Sequence, residues 1–456
     1  MNFELILYGN WKSMIRFIIL NSSFIIFLSS CSFQKQIAKS AKENVLNNKA
    51  LQTAHVGISI YDPAENKYLY NYQGDKYFVP ASNTKIPTCY AAMKYLGDSL
   101  VGLRYDTTGF CTLIQATGDP TFLHSDYTVQ PVMSFLLSQK KNICLTELSY
   151  STSEWGNGWS WNDYDQSYMA SRSSMPVYGN LIKFRKLNHI KNDIDSLPSF
   201  SIDISPSYFN RNKVVGNVGW KNANGFTVFR PINENSFFIN PDDRIVYEEI
   251  PFTNTRSVII HLLADTLKKT VIPYGTIKKK LAGIVHSQPT DSLLKPMMHR
   301  SDNFFAEQSL LMVSNERLGV MNDAKIIDTI LKTDFKDLPQ KPRWADGSGL
   351  SRYNLFTPQD FVTILNKMKN EFGMERIKVI FPTGGEGTIS SYYKADSGYI
   401  YAKTGTLSGV VAFSGYLYTK KGKLLIFSTL VNNHQAAATD VRRTIEKFIQ
   451  GIRNRY

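Results

Sequence analysis

The sequence is poor in the residues that most often carry metal and thiol chemistry. Its 456 residues include four cysteines and seven histidines, and none of their spacings matches a zinc site or a histidine metal motif. With Cys31 set aside, Cys89, Cys111 and Cys144 cannot all pair within one chain. A disulfide framework is therefore not expected: Cys111 with Cys144 is a possible pair, and buried free thiols are the default. No Gly-x-Ser-x-Gly elbow occurs, which excludes a conventional Ser-His-Asp hydrolase. The loop Gly384-Gly385-Glu386-Gly387-Thr388 lacks the lysine and the spacing of a phosphate-binding loop, so no nucleotide site is expected. Acidic residues are also scarce, 38 against 52 Lys and Arg, for a formal net charge of +14. That balance suits phospholipid head groups or acidic polymers. Nucleic acid is not expected as a partner, because the basic residues are dispersed, with Lys278-Lys279-Lys280 the densest run, and no reader module accompanies them. No cofactor and no metal are expected.

A long apolar run is missing too. Arg16 precedes Phe17-Ile18-Ile19-Leu20 and Phe24-Ile25-Ile26-Phe27-Leu28, a region too short and interrupted for a permanent membrane span. It reads as a secretion signal over residues 1–30, with Met14 as an alternative start that leaves a compact basic-then-apolar leader. Its end, Leu28-Ser29-Ser30-Cys31, resembles a bacterial lipobox, which implies lipidation of Cys31 and a membrane anchor. Residues 31–52 are polar, rich in Lys and Gln, and read as a tether.

The stretch that is present, and around which the rest is arranged, is Pro80-Ala81-Ser82-Asn83-Thr84-Lys85. Ser82-x-x-Lys85 sets a hydroxyl and an amine one helical turn apart, so a lysine of lowered pKa can take the serine's proton. Spacing alone does not select it, because Ser32 and Lys35, Ser138 and Lys141, Ser292 and Lys295, and Ser391 and Lys394 repeat the pattern. Context does more. Val56, Ile58 and Ile60 alternate, and Tyr68 to Tyr72 follows the turn at Asp62 to Asn66, predicting a strand hairpin. Pro80 biases Val79 away from helix, and Ala91, Ala92, Met93, Tyr95 and Leu96 predict a helix that Gly97 closes. Ser82 thus stands at a helix start, where free N–H groups can stabilise an oxyanion.

From about 99 to 285 the texture changes to Tyr, Trp, Asn, Ser and Gly with short strand-like runs, and only Arg256 to Lys268 is clearly helical. This predicts an inserted region, mostly β, forming one or two extra domains. Helix returns at Asp291 to Leu318, with Ser301-x-Asn303 ahead of an apolar face. Pro358 opens a helix toward Met368, Val410 to Tyr418 and Leu424 to Val431 read as strands, and Thr439 to Arg453 as a closing helix. Lys403-Thr404-Gly405 occurs once. On an edge strand its backbone could pair with an extended ligand.

Ser82-x-x-Lys85, Ser301-x-Asn303 and Lys403-Thr404-Gly405, in that order, resemble the motif set of penicillin-binding proteins and class A β-lactamases. Ser160-x-Asn162 competes for the middle position but lacks a following apolar helix. Together with Gly118-Asp119-Pro120-Thr121, Gly158-Trp159-Ser160-Trp161-Asn162-Asp163, Asp346-Gly347-Ser348-Gly349-Leu350-Ser351-Arg352 and Thr406, the motifs make the chain resemble the class C, low-molecular-mass penicillin-binding proteins, the D-Ala-D-Ala carboxypeptidases and endopeptidases of peptidase family S13. The resemblance runs from about His55 to Asn433 and is weakest over Asn188 to Glu248. It implies an α/β fold, a serine β-lactamase/transpeptidase-like sheet flanked by helices and built from 53–98 and 286–456, with 99–285 inserted. It implies peptidoglycan stem peptides and β-lactams as partners and an exported, periplasmic location. Ser82 would be the nucleophile, Lys85 its base, and Ser301 the proton carrier to the leaving D-alanine. Asn303 would position the substrate amide and Lys403 supply charge. Thr404 would bind the terminal carboxylate, Gly405 and Thr406 would stand with it among the substrate-binding residues, and the N–H groups of Ser82 and Thr406 would form the oxyanion hole. The Asp346 to Arg352 loop reads as structural. A β-lactamase or esterase of the same chemistry, and a non-catalytic wall-binding lipoprotein, are the rival readings.

Overall fold

The computed structural model describes residues 33–147, 150–188, 200–215, 227–240, 247–277 and 279–455. The expected signal peptide, Cys31 and Lys278 lie outside the described residues. A helix over residues 33–41 (α1) opens the described chain and continues as a wider turn through Lys42–Leu46. Phe33, Ile37, Ala41 and Val45 recur every fourth residue, so they share one face. All four are buried, in a cluster with Ile445, Phe448, Ile449 and Ile452 of the closing helix. The segment expected to be a polar tether is therefore a docked helix: the exposed lysines dominate its composition, and the apolar stripe shows only at helical spacing.

The hairpin follows as β1, His55–Asp62, and β2, Lys67–Tyr72. A 3₁₀ turn, Ala81–Thr84, then leads into α2, Lys85–Tyr95. The inserted region contains β3 (Ser99–Thr107), β4 (Cys111–Ala116), α3 (Pro131–Ser138), β5 (Asn142–Glu147), β6 (Leu181–Asn188), β7 (Phe200–Ser205), β8 (Lys213–Val215), β9 (Thr227–Phe229), β10 (Phe237–Asn240), β11 (Tyr247–Pro251), α4 (Arg256–Leu267), β12 (Val271–Thr276) and β13 (Gly283–Pro289). After it come α5 (Thr290–His299), α6 (Asn303–Leu318), α7 (Asp323–Lys332), α8 (Pro358–Ile380), β14 (Ile400–Leu407), β15 (Val410–Tyr418), β16 (Leu424–Asn432) and α9 (Ala438–Arg455).

One antiparallel sheet, ordered β14-β15-β16-β1-β2, unites the two halves of the chain. Its inner strands β15, β16 and β1 are buried on both faces. From β15, Ala412 and Tyr416 join the core of α2, α5, α6 and α8, whereas Val411, Phe413 and Leu417 point to α9 and α1. This is the expected α/β architecture, helices packed on both sides of one sheet. α2 is enclosed almost all round, with every residue from Lys85 to Met93 buried.

The insertion is mostly β, as expected, in a mixed five-stranded sheet, β12-β5-β4-β3-β13, and two three-stranded ones, β11-β6-β7 and β8-β10-β9. Its apolar core, with Leu103, Ile114, Phe184, Phe237 and Leu262 among its members, is separate from the other two. Three expectations are corrected here. α3 is a helix that short length and a flanking loop hide in sequence. β13 still pairs with β3 through Pro289, so 286–289 belong to the inserted sheet and not to the returning half. Finally, Cys111 and Cys144 form a disulfide where free thiols were expected. They lie on neighbouring parallel strands, with Cys111 opposite Asn142 and Leu113 opposite Cys144, and their Cα atoms are 6.0 Å apart, a normal reach for the bond. Cys89 is buried and unpaired.

Candidate active site

Three elements converge on Ser82. The 3₁₀ turn presents it at the entrance of α2. The α5–α6 junction brings Ser301 and Asn303, and β14, the edge strand, carries Lys403 to Thr406. β14 contacts the Ser82 turn directly. A Cβ on Gly405 would lie 2.6 Å from the Pro80 carbonyl oxygen and 3.0 Å from the Ser82 nitrogen, so only glycine lets strand and turn meet. On the outer side, Ala402 N–H donates to Pro382 O at 3.1 Å; beyond it, Thr404, Thr406 and Leu407 border an open cavity.

Lys85 is fully buried. Its Nζ lies 3.0 Å from Ser82 Oγ, 2.6 Å from Asn303 Oδ1 and 2.7 Å from the Ser348 carbonyl oxygen. As an ammonium it donates to all three. As a neutral amine it keeps two N–H groups, which Asn303 and Ser348 accept, and its lone pair is left facing the Ser82 hydroxyl. Burial holds its pKa down to about 8, against the opposing pull of Asp346, Asp302 and Glu307. A lysine near neutrality can take a proton, which an ordinary one cannot.

Ser301 occupies the break between α5 and α6, in the left-handed region at φ 63°, a conformation costly for a side-chain-bearing residue and concentrated at functional sites. Asp302 caps α6 by accepting from Phe305 N–H at 3.0 Å, so the motif is a helix start and a site at once. Lys403 Nζ, also buried, donates to Ser301 Oγ at 2.9 Å and to Thr404 O at 2.8 Å. Its pKa is pushed down by burial and then by the charge of Lys85. Asn303 is fixed at both ends, because its Nδ2 donates to Tyr168 O at 3.0 Å.

The cavity holds about 740 Å³. Ser82, Ser301 and Asn303 form its floor, and the inserted region supplies a wall through Trp159, Ser160 and Tyr168. Ser160, the rejected alternative to Ser301, is thus a wall residue. Five of the expected residues come together here in two hydrogen-bonded groups, Lys85 with Ser82 and Asn303, and Lys403 with Ser301. Thr404 borders the cavity with its hydroxyl donating to Thr388 Oγ1 at 2.6 Å, and Thr406 Oγ1 accepts from Arg442 Nη2 at 2.6 Å.

Sequence reasoning missed four contributors. Ser348 belongs to a loop read as structural, yet its carbonyl accepts from Lys85. Arg352, from the same loop, and Arg442, from α9, line the cavity, and Glu307 buttresses Ser348 by accepting its N–H at 2.7 Å. The run Asp346 to Arg352 was legible as a motif; its contact with Lys85, 263 residues away in sequence, was not.

A serine with a buried lysine against its hydroxyl, a second serine on a second buried lysine, and an edge strand beside both are an arrangement that suits a serine hydrolase. Residues 38–454 match the D-Ala-D-Ala carboxypeptidase 3 (S13) family, and the chain belongs to that family. It is 23% identical to the D-alanyl-D-alanine carboxypeptidase DacB of Haemophilus influenzae, over 94% of this chain and 96% of that one. It is 24% identical to the D-alanyl-D-alanine carboxypeptidase of Actinomadura sp. strain R39, over 86% and 80% of the respective chains. The crystal structure of penicillin binding protein 4 (dacB) from Haemophilus influenzae superposes with a TM-score of 0.68 at 21% identity, covering 91% of this chain and 98% of that one. That likeness extends the shared fold through the inserted region.

Proposed function

We propose that this protein is a serine-type D-Ala-D-Ala carboxypeptidase that also cuts peptide cross-links, acting on peptidoglycan stem peptides through an acyl-enzyme. The observation that carries the reading is the Lys85 amine, 3.0 Å from Ser82 Oγ and held by two further acceptors. Lys85 takes the Ser82 proton as the hydroxyl attacks the carbonyl between two D-alanines. The Ser82 and Thr406 N–H groups receive the oxyanion, a donor of this kind being worth roughly 3–4 kcal/mol. The proton that Lys85 takes reaches the departing D-alanine nitrogen by way of Ser301, on Lys403, and water later resolves the ester into free Ser82 and the shortened peptide. Asn303 orients the substrate amide. Thr404 and Thr406 receive the terminal carboxylate, and Gly405 keeps the edge strand close enough to Ser82 for the peptide to lie along it. The open cavity supports access by cross-linked peptides as well as free ends. β-Lactams present the same carbonyl and carboxylate and acylate the same serine.

We further propose export and anchoring through a lipid on Cys31. The apolar segment Phe17 to Leu28, the cysteine after it, and a disulfide suited to an oxidising compartment support this reading. No helix among the described residues is long and apolar enough to cross a membrane. Cys31→Ala should release the processed protein from the membrane fraction; retention there would contradict the lipid anchor.

The test of the activity is intact-mass analysis of the chain from Ser32 onward with benzylpenicillin, beside Ser82→Ala. A lasting single adduct that the variant lacks, followed by D-alanine release from stem peptides, is expected. An adduct that decays as penicilloate accumulates would favour a β-lactamase, and no adduct on folded protein would favour a wall-binding role.

A further inference from the structure

α6 supports the base twice from one face. Asn303 and Glu307 are one turn apart; Asn303 Oδ1 takes one Lys85 N–H directly, and Glu307 reaches the other Lys85 acceptor indirectly. Glu307 Oε1 accepts the Ser348 N–H at 2.7 Å, and the Ser348 carbonyl accepts from Lys85 at 2.7 Å. The loop sits hard on the helix there, since a Cβ on Gly347 would lie 2.8 Å from the Ala306 carbonyl oxygen. Thr88 of α2 holds the same loop, donating to Gly347 O at 2.7 Å. Behind Glu307, Arg172 from the inserted region lies 3.4 Å from Oε2. Glu307 and Arg172 are 1% and 2% exposed. Burying this carboxyl carries a desolvation cost, which the Ser348 N–H and Arg172 offset.

We infer that Glu307 is a positioning residue for the acylation base: through Ser348 it fixes the carbonyl that occupies one Lys85 N–H, which aims the lone pair of Lys85 at Ser82. Arg172 keeps the carboxylate in place, and so ties the inserted region to the base. The inference rests on the role proposed above for Lys85. The charged groups facing Glu307 are Arg172, Asp346, Lys85 and, across Arg172, Asp323 of α7. Those facing Lys85 are Asp346, Asp302 and Glu307, with Lys403 beyond. Burial and Asp346 hold the Glu307 carboxyl above its ordinary range, opposed by Arg172.

The test is the pH dependence of acylation by benzylpenicillin, by stopped-flow or intact mass, in wild type and Glu307→Gln, with thermal melts beside it. The variant keeps the side chain's size and one acceptor oxygen, but sets an amide N–H against Arg172 and removes a negative charge near Lys85. A folded variant, a plateau rate lower by roughly tenfold or more, and an acidic limb whose midpoint moves to lower pH are expected. The direction follows because a lost carboxylate no longer favours the lysine's charged form. A midpoint that stays put or rises overturns the inference, whatever the rate, because Lys85 would then not feel the carboxylate. Should Glu307→Gln fail to fold, Glu307→Asp carries the test: it keeps the charge and loses the reach to Ser348. A drop of roughly tenfold or more with an unmoved midpoint supports the inference, and any smaller drop overturns it. Absence of acylation in the wild type would instead sink the proposed function, and is read separately.

Discussion

Lys403 and Lys85 share one buried centre with their amines on different serines, Ser301 and Ser82, and the charge of Lys85 helps to hold the Lys403 pKa down. Two enclosed lysines this near cannot both be comfortably charged. The protein therefore favours a state in which at least one amine is neutral, as a base must be.

Acylation of Ser82 should accordingly rise with pH and level off above about 8, the value to which burial lowers Lys85. Stability should respond in the same window. Because the folded pKa lies below the unfolded one, the unfolded chain binds more protons between about 8 and the ordinary 10.5. This group's cost to stability is full below about 8 and fades toward 10.5. A rate profile flat from pH 6 to 9 would remove Lys85 from the base role, and Lys85→Ala should abolish the adduct.

Arg442 should matter to anionic ligands. Its hydrogen bond goes to Thr406 Oγ1, it lines the cavity beside β14, and no carboxylate pairs with it among the described residues. Arg442→Ala should slow acylation by benzylpenicillin roughly tenfold, the scale of a charge-assisted contact. The methyl ester of the same penicillin should acylate variant and wild type at about the same rate; equal losses with both ligands would assign Arg442 to structure alone.

The disulfide should stabilise the inserted region without touching catalysis. It closes a loop of sequence separation 33, for which chain entropy gives about 3–4 kcal/mol at most. Replacing Cys111 and Cys144 by serine should lower the denaturant midpoint while penicillin acylation under native conditions stays near wild type. Lost acylation in a still-folded variant would mean that the wall near Trp159 depends on this bond.

The N-terminal helix is part of the fold. A chain begun at His55 would uncover the α9 face that Phe33, Ile37, Val45 and Leu51 bury, each large apolar side chain being worth roughly 1.5–3 kcal/mol. Its melting temperature should fall well below that of a chain begun at Ser32. Equal melting would show that the docked helix adds nothing.

By itself the sequence determined the candidate motifs and the kinds of element that carry them. Ser82 with Lys85 is a local pair set by the spacing of one helical turn, and Ser301 with Asn303 a local pair at a helix start. The strands from Val410 and Leu424 and the helix opened by Pro358 rest on short apolar runs and on a proline in the first turn, which are properties of neighbouring residues. Tertiary structure alone decided the contacts made across long separations. Whether Cys111 meets Cys144 depends on two strands pairing in parallel. Whether residues 33–46 hang free or dock depends on an apolar face of α9 about 400 residues later. The backbone carbonyl of Ser348 is invisible in any residue pattern, since every residue has one; only the packing of its loop between α2 and α6 turns it toward Lys85. For the same reason Glu307 and Arg172 look like ordinary surface charges in the sequence, and become support for the base only when the inserted region closes over them and excludes water.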